Sequence, residues 1–552
     1  MAIETKKPSE TPAASSSGPT VDTAPVRTSR GAWMALIAAL LGWLFDGAEM
    51  GVFSMVGRSA VQDMLGVVGA PSEEQKNLIG LYFGVIIAVF LVGAATGGVL
   101  FGWLGDRIGR VRAMSLSVLT YALFTGACGL AQTPLQLGIL RFIASLGMGG
   151  EWALGVALVM EVWPNRSRAL MAGLIGAAAN FGYMLVGVIG IGLNTIIADF
   201  TKLMLNLGIP EKTVNMLVAY NGWRLMMILG TLPALLTFFF RIFVPESHKW
   251  EEEQGKGTTS NWATIDLLGM FIGALGPGLI VAVWASKWGV TADSPAAHHT
   301  LLLTARIVGT IVGLAIAIVG YTYPVFRFLQ RTMASGRLDA PASPWPTVRT
   351  MLLGACISGV ALLGTWGSTQ WASAWAHELT DRNPLFAGAH AREWTQIWLA
   401  VGAIVGTIVA AMCGDWLGRR LTYCAMCVVS LGAVYMFYQT HSQYGTSFLV
   451  WAFILGLTTA SFYGWLPLYL PELFATKVRA TGQGFAFNFG RILAAIGGLQ
   501  MSVLLPSVAN IKTKAGLSGG LPVICSYVSV VYLVGLVIIW LAPETKGKPL
   551  PE

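Results

Sequence analysis

Fourteen runs of apolar residues leave this 552-residue chain few ways to fold. They fall at about 33–56, 79–104, 111–131, 135–160, 168–197, 223–244, 263–285, 299–327, 347–375, 394–416, 421–440, 446–471, 480–505 and 521–542. Each is near or above the roughly 20 residues a helix needs to cross a hydrocarbon core. Only 11% of the residues are charged, against about 25% in a soluble domain. An all-α, multi-pass membrane protein is expected. Residues 1–32 differ, being rich in Ser, Thr, Pro and Ala. They read as a disordered tail, with no cleavable signal peptide before the first apolar run. The net charge of +8 does not point to nucleic acid, because the basic residues sit in short loops between apolar runs.

The chain repeats itself. Gly105-Asp106-Arg107-Ile108-Gly109-Arg110 returns as Gly414-Asp415-Trp416-Leu417-Gly418-Arg419, Asp106 and Asp415 being 309 residues apart. Glu161 and Arg168 return as Glu472 and Arg479, both 311 residues on. Runs one to six therefore match runs nine to fourteen, and the pair between 263 and 327 is an insertion. Parallel repeats about an axis along the membrane normal are one way secondary transporters are built. The expected domains are a tail (1–32), a six-helix bundle (33–244), a loop with two inserted spans (245–346), a second six-helix bundle (347–542) and a tail (543–552). With the N-terminus inside, 22 of the 35 Lys and Arg fall on the inner side and 10 outside. That excess places both termini in the cytoplasm.

All six Cys lie within or beside apolar runs. Cys424-x-x-Cys427 reads as two small apolar residues on one helical turn rather than a metal or redox site. No phosphate loop, nucleophile elbow or zinc spacing is present, so no enzyme, metal or cofactor is expected.

Charge inside a span costs about 2.5–3.5 kcal/mol on insertion scales and usually serves a function. Asp46 and Glu49 share one face of the first span, one turn apart. Arg141 and Glu151 lie in the fourth. By helical rise these acids and the Arg come within reach of one another, about 14–28 Å above the inner end. Asp46, with Glu49, Glu151 and Arg141, is the candidate proton-coupling group. Span five carries Asn180, and its counterpart in span thirteen, 308 residues from 180 to 488, is Asn488, followed by Arg491. Asn180 and Arg491 sit about 18–20 Å from the inner ends, near the midplane. Arg491, Asn488, Asn180, Tyr183, Gln370 and Trp371 are the candidate substrate contacts. Arg306, close to the outer end of the inserted pair, is expected to snorkel to the headgroups. The stretch 198–222 mixes Leu203, Leu205, Leu207 and Val214 with polar residues, and reads either as an amphipathic piece or as a plain loop.

The block Gly102-Trp-Leu-Gly-Asp106-Arg107-Ile-Gly109-Arg110 resembles the signature of the major facilitator superfamily, and the resemblance covers nearly all of 33–549. Glu161-x-x-Pro164-x-x-x-Arg168, Pro245-Glu246-Ser247 and Pro543-Glu544-Thr545-Lys546-Gly547 look like its sugar-porter and metabolite:proton symporter branches. Trp43-Leu-Phe-Asp46-Gly47-Ala-Glu49 and Gly147-Met-Gly-Gly150-Glu151-Trp152 are similar to carriers of sialic acid, monocarboxylates and aromatic acids. The second-half signature departs at Trp416, which stands where Arg107 does. The span-one motif ends in Glu49 where the aromatic-acid carriers have Asp. The resemblance implies proton-coupled symport of a small organic anion by a monomer in the inner or plasma membrane. Its partners are the small-molecule substrate, the proton and membrane lipid. Gating falls to Asp106, Arg107, Arg110, Glu161, Arg168, Asp415, Arg419, Glu472 and Arg479. A neutral-sugar porter is the first alternative, and a transporter-like nutrient sensor is one of another class, which the short tails disfavour.

Overall fold

The apolar runs form helices that start and stop where the sequence supplies caps and turns. The computed structural model describes residues 30–231, 238, 243–286, 294–335, 342–381, 390–508, 510–517 and 519–551. The tail expected over 1–32 lies outside them as far as residue 29. The first bundle holds α1 (Arg30–Met64), α2 (Glu73–Ile108), α3 (Arg110–Cys128), α4 (Pro134–Val162), α5 (Arg168–Ile191), α6 (Leu193–Asn206) and α7 (Glu211–Leu229). Ser72 opens α2 with a reciprocal cap: its Oγ accepts from the Gln75 N–H, and the Gln75 Oε1 accepts from the Ser72 N–H. Gly109 closes α2 at φ +110°, and α3 begins at the next residue. Gly418 does the same at φ +101° between α13 (Ala391–Leu417) and α14 (Arg419–Thr440). L side chains rarely adopt that backbone, so each copy of the signature needs glycine at its corner.

After the short α8 (His248–Gly255) come the inserted helices α9 (Leu267–Ala285) and α10 (Ala296–Ala334). The second bundle holds α11 (Trp345–Gly367), α12 (Ala372–Asp381), α13, α14, α15 (Thr446–Thr459), α16 (Phe462–Tyr469), α17 (Arg479–Ser507), α18 (Gly520–Val528) and α19 (Val531–Ile538). Among the described residues, 12 helical stretches are long and apolar enough to cross a membrane. The thirteenth expected span is the 29-residue α17. The expected sixth, 223–244, lies partly outside the described residues.

One open reading is decided here and two expectations change. The stretch 198–222 is largely helical, because Met204, Val214 and Leu225 bury one another between α6 and α7. Leu203, Leu205 and Leu207 stay exposed. Arg306 does not snorkel: it is buried, and its guanidinium donates to the carbonyls of Trp284 and Ser286 at the end of α9. Those carbonyls have no partner within their own helix, which makes them natural acceptors. Spans nine and twelve are also broken. Helix α11 stops at Ser368, and a 3-10 turn (Thr369–Trp371) leads into α12. Helix α15 gives way to α16 at Ala460-Ser461. Breaks at membrane depth are tolerated where the freed backbone lines a cavity or finds other partners.

The inserted pair packs tightly, with Gly273 against Gly320 and Gly276 against Gly313. It is tied to the first bundle by a buried 2.7 Å hydrogen bond between Tyr321 and Thr96. A second tie runs from the Arg107 Nη1 to the Thr264 Oγ1 at 2.6 Å. An Arg331–Asp266 ion pair braces the loop at its base.

Candidate functional site

A cavity lies between the two bundles. Helices α1, α4 and α5 wall one side with Trp43, Asp46, Trp152, Asn180 and Tyr183. The other side is built from the two broken spans and α17, through Thr365, Trp366, Thr369, Gln370, Tyr463, Phe487 and Arg491. Asp46 and Arg491 are the charged residues among the described residues lining it. Arg491 is 9% exposed, and its Nη1 has no hydrogen-bond partner among the described residues. Its guanidinium carbon lies 5.6 Å from the centre of the Phe487 ring, one turn back on α17. Several of the polar groups already serve the protein. The Asn180 amide donates to the Gly176 carbonyl, and the Tyr183 hydroxyl donates to the Gln370 Oε1 at 3.3 Å.

Below the cavity, toward the signature loops, α2 and α4 meet α17 in successive layers. Trp152 and Phe487 stack in parallel, 3.8 Å apart. The Asn488 amide donates to the Gly149 carbonyl at 3.1 Å, and the Gln483 amide to the Ala153 carbonyl. At Gly102 an added Cβ would lie 2.7 Å from the Ala480 carbonyl oxygen, so only glycine permits that approach. Asp106 then caps the start of α17 from the opposite bundle. Its carboxylate accepts from the N–H of Ala480 (3.2 Å), the N–H of Thr481 (2.9 Å) and the Thr481 hydroxyl (2.6 Å). Arg110 pairs with it at 3.0 Å. A buried carboxylate at a helix N-terminus meets unsatisfied donors and the positive end of the dipole together.

Glu161 joins the bundles a second time, at 2.8 Å from Arg479 and 3.2 Å from Arg110, and it accepts from the Ser247 hydroxyl. The second-half copy is built alike but does less. Arg419 pairs with Glu472 at 2.6 Å, while Asp415, half-exposed, pairs with Arg419 at 3.4 Å on its own side. Glu246 and Glu544 occupy matching places. Glu246 accepts from the Arg110 and Val111 N–H groups, and Glu544 from those of Arg419 and Arg420. Burial pushes the Glu246 carboxyl above its ordinary value, and its N–H bonds only partly offset this. At Glu544 burial is lighter and is outweighed by N–H bonds from Arg419, Arg420, Lys546 and Thr545, so that carboxyl is held low.

A sequence profile of the Sugar (and other) transporter family matches residues 34–266 and 387–552. The chain belongs to that family, and it has the major facilitator fold. The chain is similar to the cis,cis-muconate transport protein of Acinetobacter baylyi, 24% identical over 84% of this chain and 85% of that one. It is also similar to that organism's niacin transporter NiaP, 23% identical over 92% and 93%. Among solved structures, the proton:xylose symporter XylE, an E. coli protein, matches with a TM-score of 0.60. That match is 16% identical and covers 95% of this chain and 98% of XylE, so it speaks for the fold. This member of the family is a multi-pass membrane transporter of metabolites, not an enzyme.

The transporter gathers some of the sequence candidates and separates others. Asp46, Asn180, Tyr183, Gln370 and Arg491 line one cavity. Trp371 and Asn488 do not: Asn488 is fully buried in the α4–α17 seam, where it ties two backbones. Glu49 forms an ion pair with Arg141, whose guanidinium lies 4.1 Å from the Phe53 ring centre and 4.3 Å from that of Phe90. Glu151 is buried and is not among the residues of the cavity wall. Arg107 turns to Thr264 rather than to the facing bundle. Arg168 donates to the Trp163 carbonyl, so Glu161 takes its cross-bundle arginine from Arg479. Trp43, Trp152 and Phe487 were not singled out from sequence as wall residues. Their signal was spacing: Trp43 precedes Asp46 by three residues and Phe487 precedes Arg491 by four, the helical intervals that share a face.

Proposed function

We propose that this protein is a proton-coupled importer of a small organic anion that works by alternating access as a monomer in the inner membrane. One observation carries this reading: Arg491 is nine-tenths buried in a central cavity with an Nη1 that lacks a hydrogen-bond partner among the described residues. A buried guanidinium needs an anion, and a substrate carboxylate fits its fork. Asp46 lines the same cavity, which supports it as the proton carrier. A bound carboxylate repels that of Asp46, and a proton on Asp46 relieves the repulsion. Substrate and proton then favour each other's binding, and such linkage is reciprocal. The Glu49–Arg141 pair would hold α1 to α4, and the Asp106, Arg110, Glu161 and Arg479 cluster would keep the inner side shut.

In proteoliposomes, Asp46→Asn is expected to abolish uphill, pH-driven uptake while leaving exchange between equal concentrations. Full pH-driven accumulation in this variant would move the proton to Glu49 or Glu151. Orientation is tested separately. Ser294 and Ser335 flank α10, which is 39 residues long and so about 58 Å from end to end. With both termini cytoplasmic, a cysteine at Ser294 is labelled from outside and one at Ser335 is not. Labelling at Ser335 under those conditions would overturn the topology.

A further inference from the structure

We infer that the ligand of the central cavity is a flat, hydroxyl-poor monocarboxylate, such as an aromatic or conjugated acid, and neither a sugar acid nor a dicarboxylate. This rests on the organic-anion reading and sharpens it. Six of the 22 residues lining it are aromatic, and Trp43, Trp152, Trp366, Tyr463 and Phe487 come from five different helices. Flat π-faced ligands stack on such rings.

The polar groups make the case from the other side. A sugar acid carries several hydroxyls, each a donor and an acceptor that must be matched once water is stripped away. Three of the cavity's hydroxyls already donate elsewhere. Thr365 donates to the carbonyls of Ala361 and Thr459, Thr369 shares a 2.9 Å bond with the Thr459 hydroxyl, and Tyr183 donates to Gln370. Each unmatched ligand hydroxyl lowers affinity about tenfold. Arg491 is the sole Lys or Arg among the described residues lining the cavity. It satisfies one carboxylate. A second would face Asp46 or the negative faces of the rings.

The test is binding to the purified full-length protein, read as ligand-induced thermal stabilisation, with benzoate, nicotinate, glucuronate, terephthalate and benzamide as probes. Benzoate or nicotinate is expected to bind about 100-fold tighter than glucuronate and terephthalate. Asp46→Asn is expected to improve terephthalate about tenfold relative to benzoate, because it removes the repelling charge. Glucuronate or terephthalate binding as well as the flat acids would overturn this inference and leave the organic-anion reading standing. An unchanged ratio in Asp46→Asn would overturn the exclusion of dianions. Benzamide binding as well as benzoate would overturn both readings. Failure of both flat acids to bind at about 10 mM would overturn the inference.

Discussion

Arg491→Gln is expected to reduce transport of a carboxylate substrate about 100-fold while the protein still inserts and folds. The guanidinium sits at the cavity wall with an open Nη1. Removing one partner of a buried, hydrogen-bonded charge pair costs about 2–5 kcal/mol. A loss of about 3 kcal/mol is a little over two decades in binding. Folding should survive, because the residue replaced is a buried charge, and neutral groups are cheaper to bury. Arg491→Lys keeps the charge but loses the planar fork, so the half-saturating concentration should rise about tenfold. Uptake by purified protein in liposomes, at matched insertion, measures both. Normal carboxylate transport by Arg491→Gln would sink the anion site.

Asp106→Asn is the second large effect. The Asp106 carboxylate accepts three hydrogen bonds from Ala480 and Thr481 and pairs with Arg110, all out of contact with water. The amide offers one oxygen where there were two, and its NH2 faces backbone N–H donors. Charge-assisted hydrogen bonds contribute about 1.5–3 kcal/mol each. A net loss of about 2–3 kcal/mol shifts the closed-to-open ratio about 30- to 150-fold. Transport should fall about tenfold or more, while substrate binding changes less than about threefold, since the cavity lies several turns away. Asp415→Asn should change transport less than about twofold, because an exposed pair contributes little. Wild-type rates in Asp106→Asn, or equal losses in the two variants, would refute the gate.

Much of this protein was legible before its fold. Apolar runs of span length dictate helices, because only hydrogen bonds within the segment satisfy a backbone in lipid. Two copies of a six-residue block at a fixed offset dictate two bundles with something inserted between them. The corner glycines and the reciprocal cap of α2 follow from local rules of backbone geometry. Asp46 and Arg491 stood out because a charge within a span is costly and needs a reason to be there.

Other features depended on partners hundreds of residues apart. Spacing made Asn180 and Asn488 equivalents, yet one lines the cavity and the other is sealed in a seam. Their helices face different neighbours, and a repeat in sequence does not repeat its surroundings. The two Glu and Arg pairs read as local, but Arg479 crosses to Glu161 because the bundles meet there. The breaks at Ser368 and Ser461 carry no strong breaker at the residue itself. Neighbouring groups that accept the freed backbone and hydroxyl hydrogen bonds stabilise them, among them Thr459 beside Thr365 and Thr369. Composition and period thus determined which segments are helical and where charge must be explained. Only tertiary packing decided which charges are paired, because the energy of a buried charge depends on what the rest of the chain brings within a few ångströms of it.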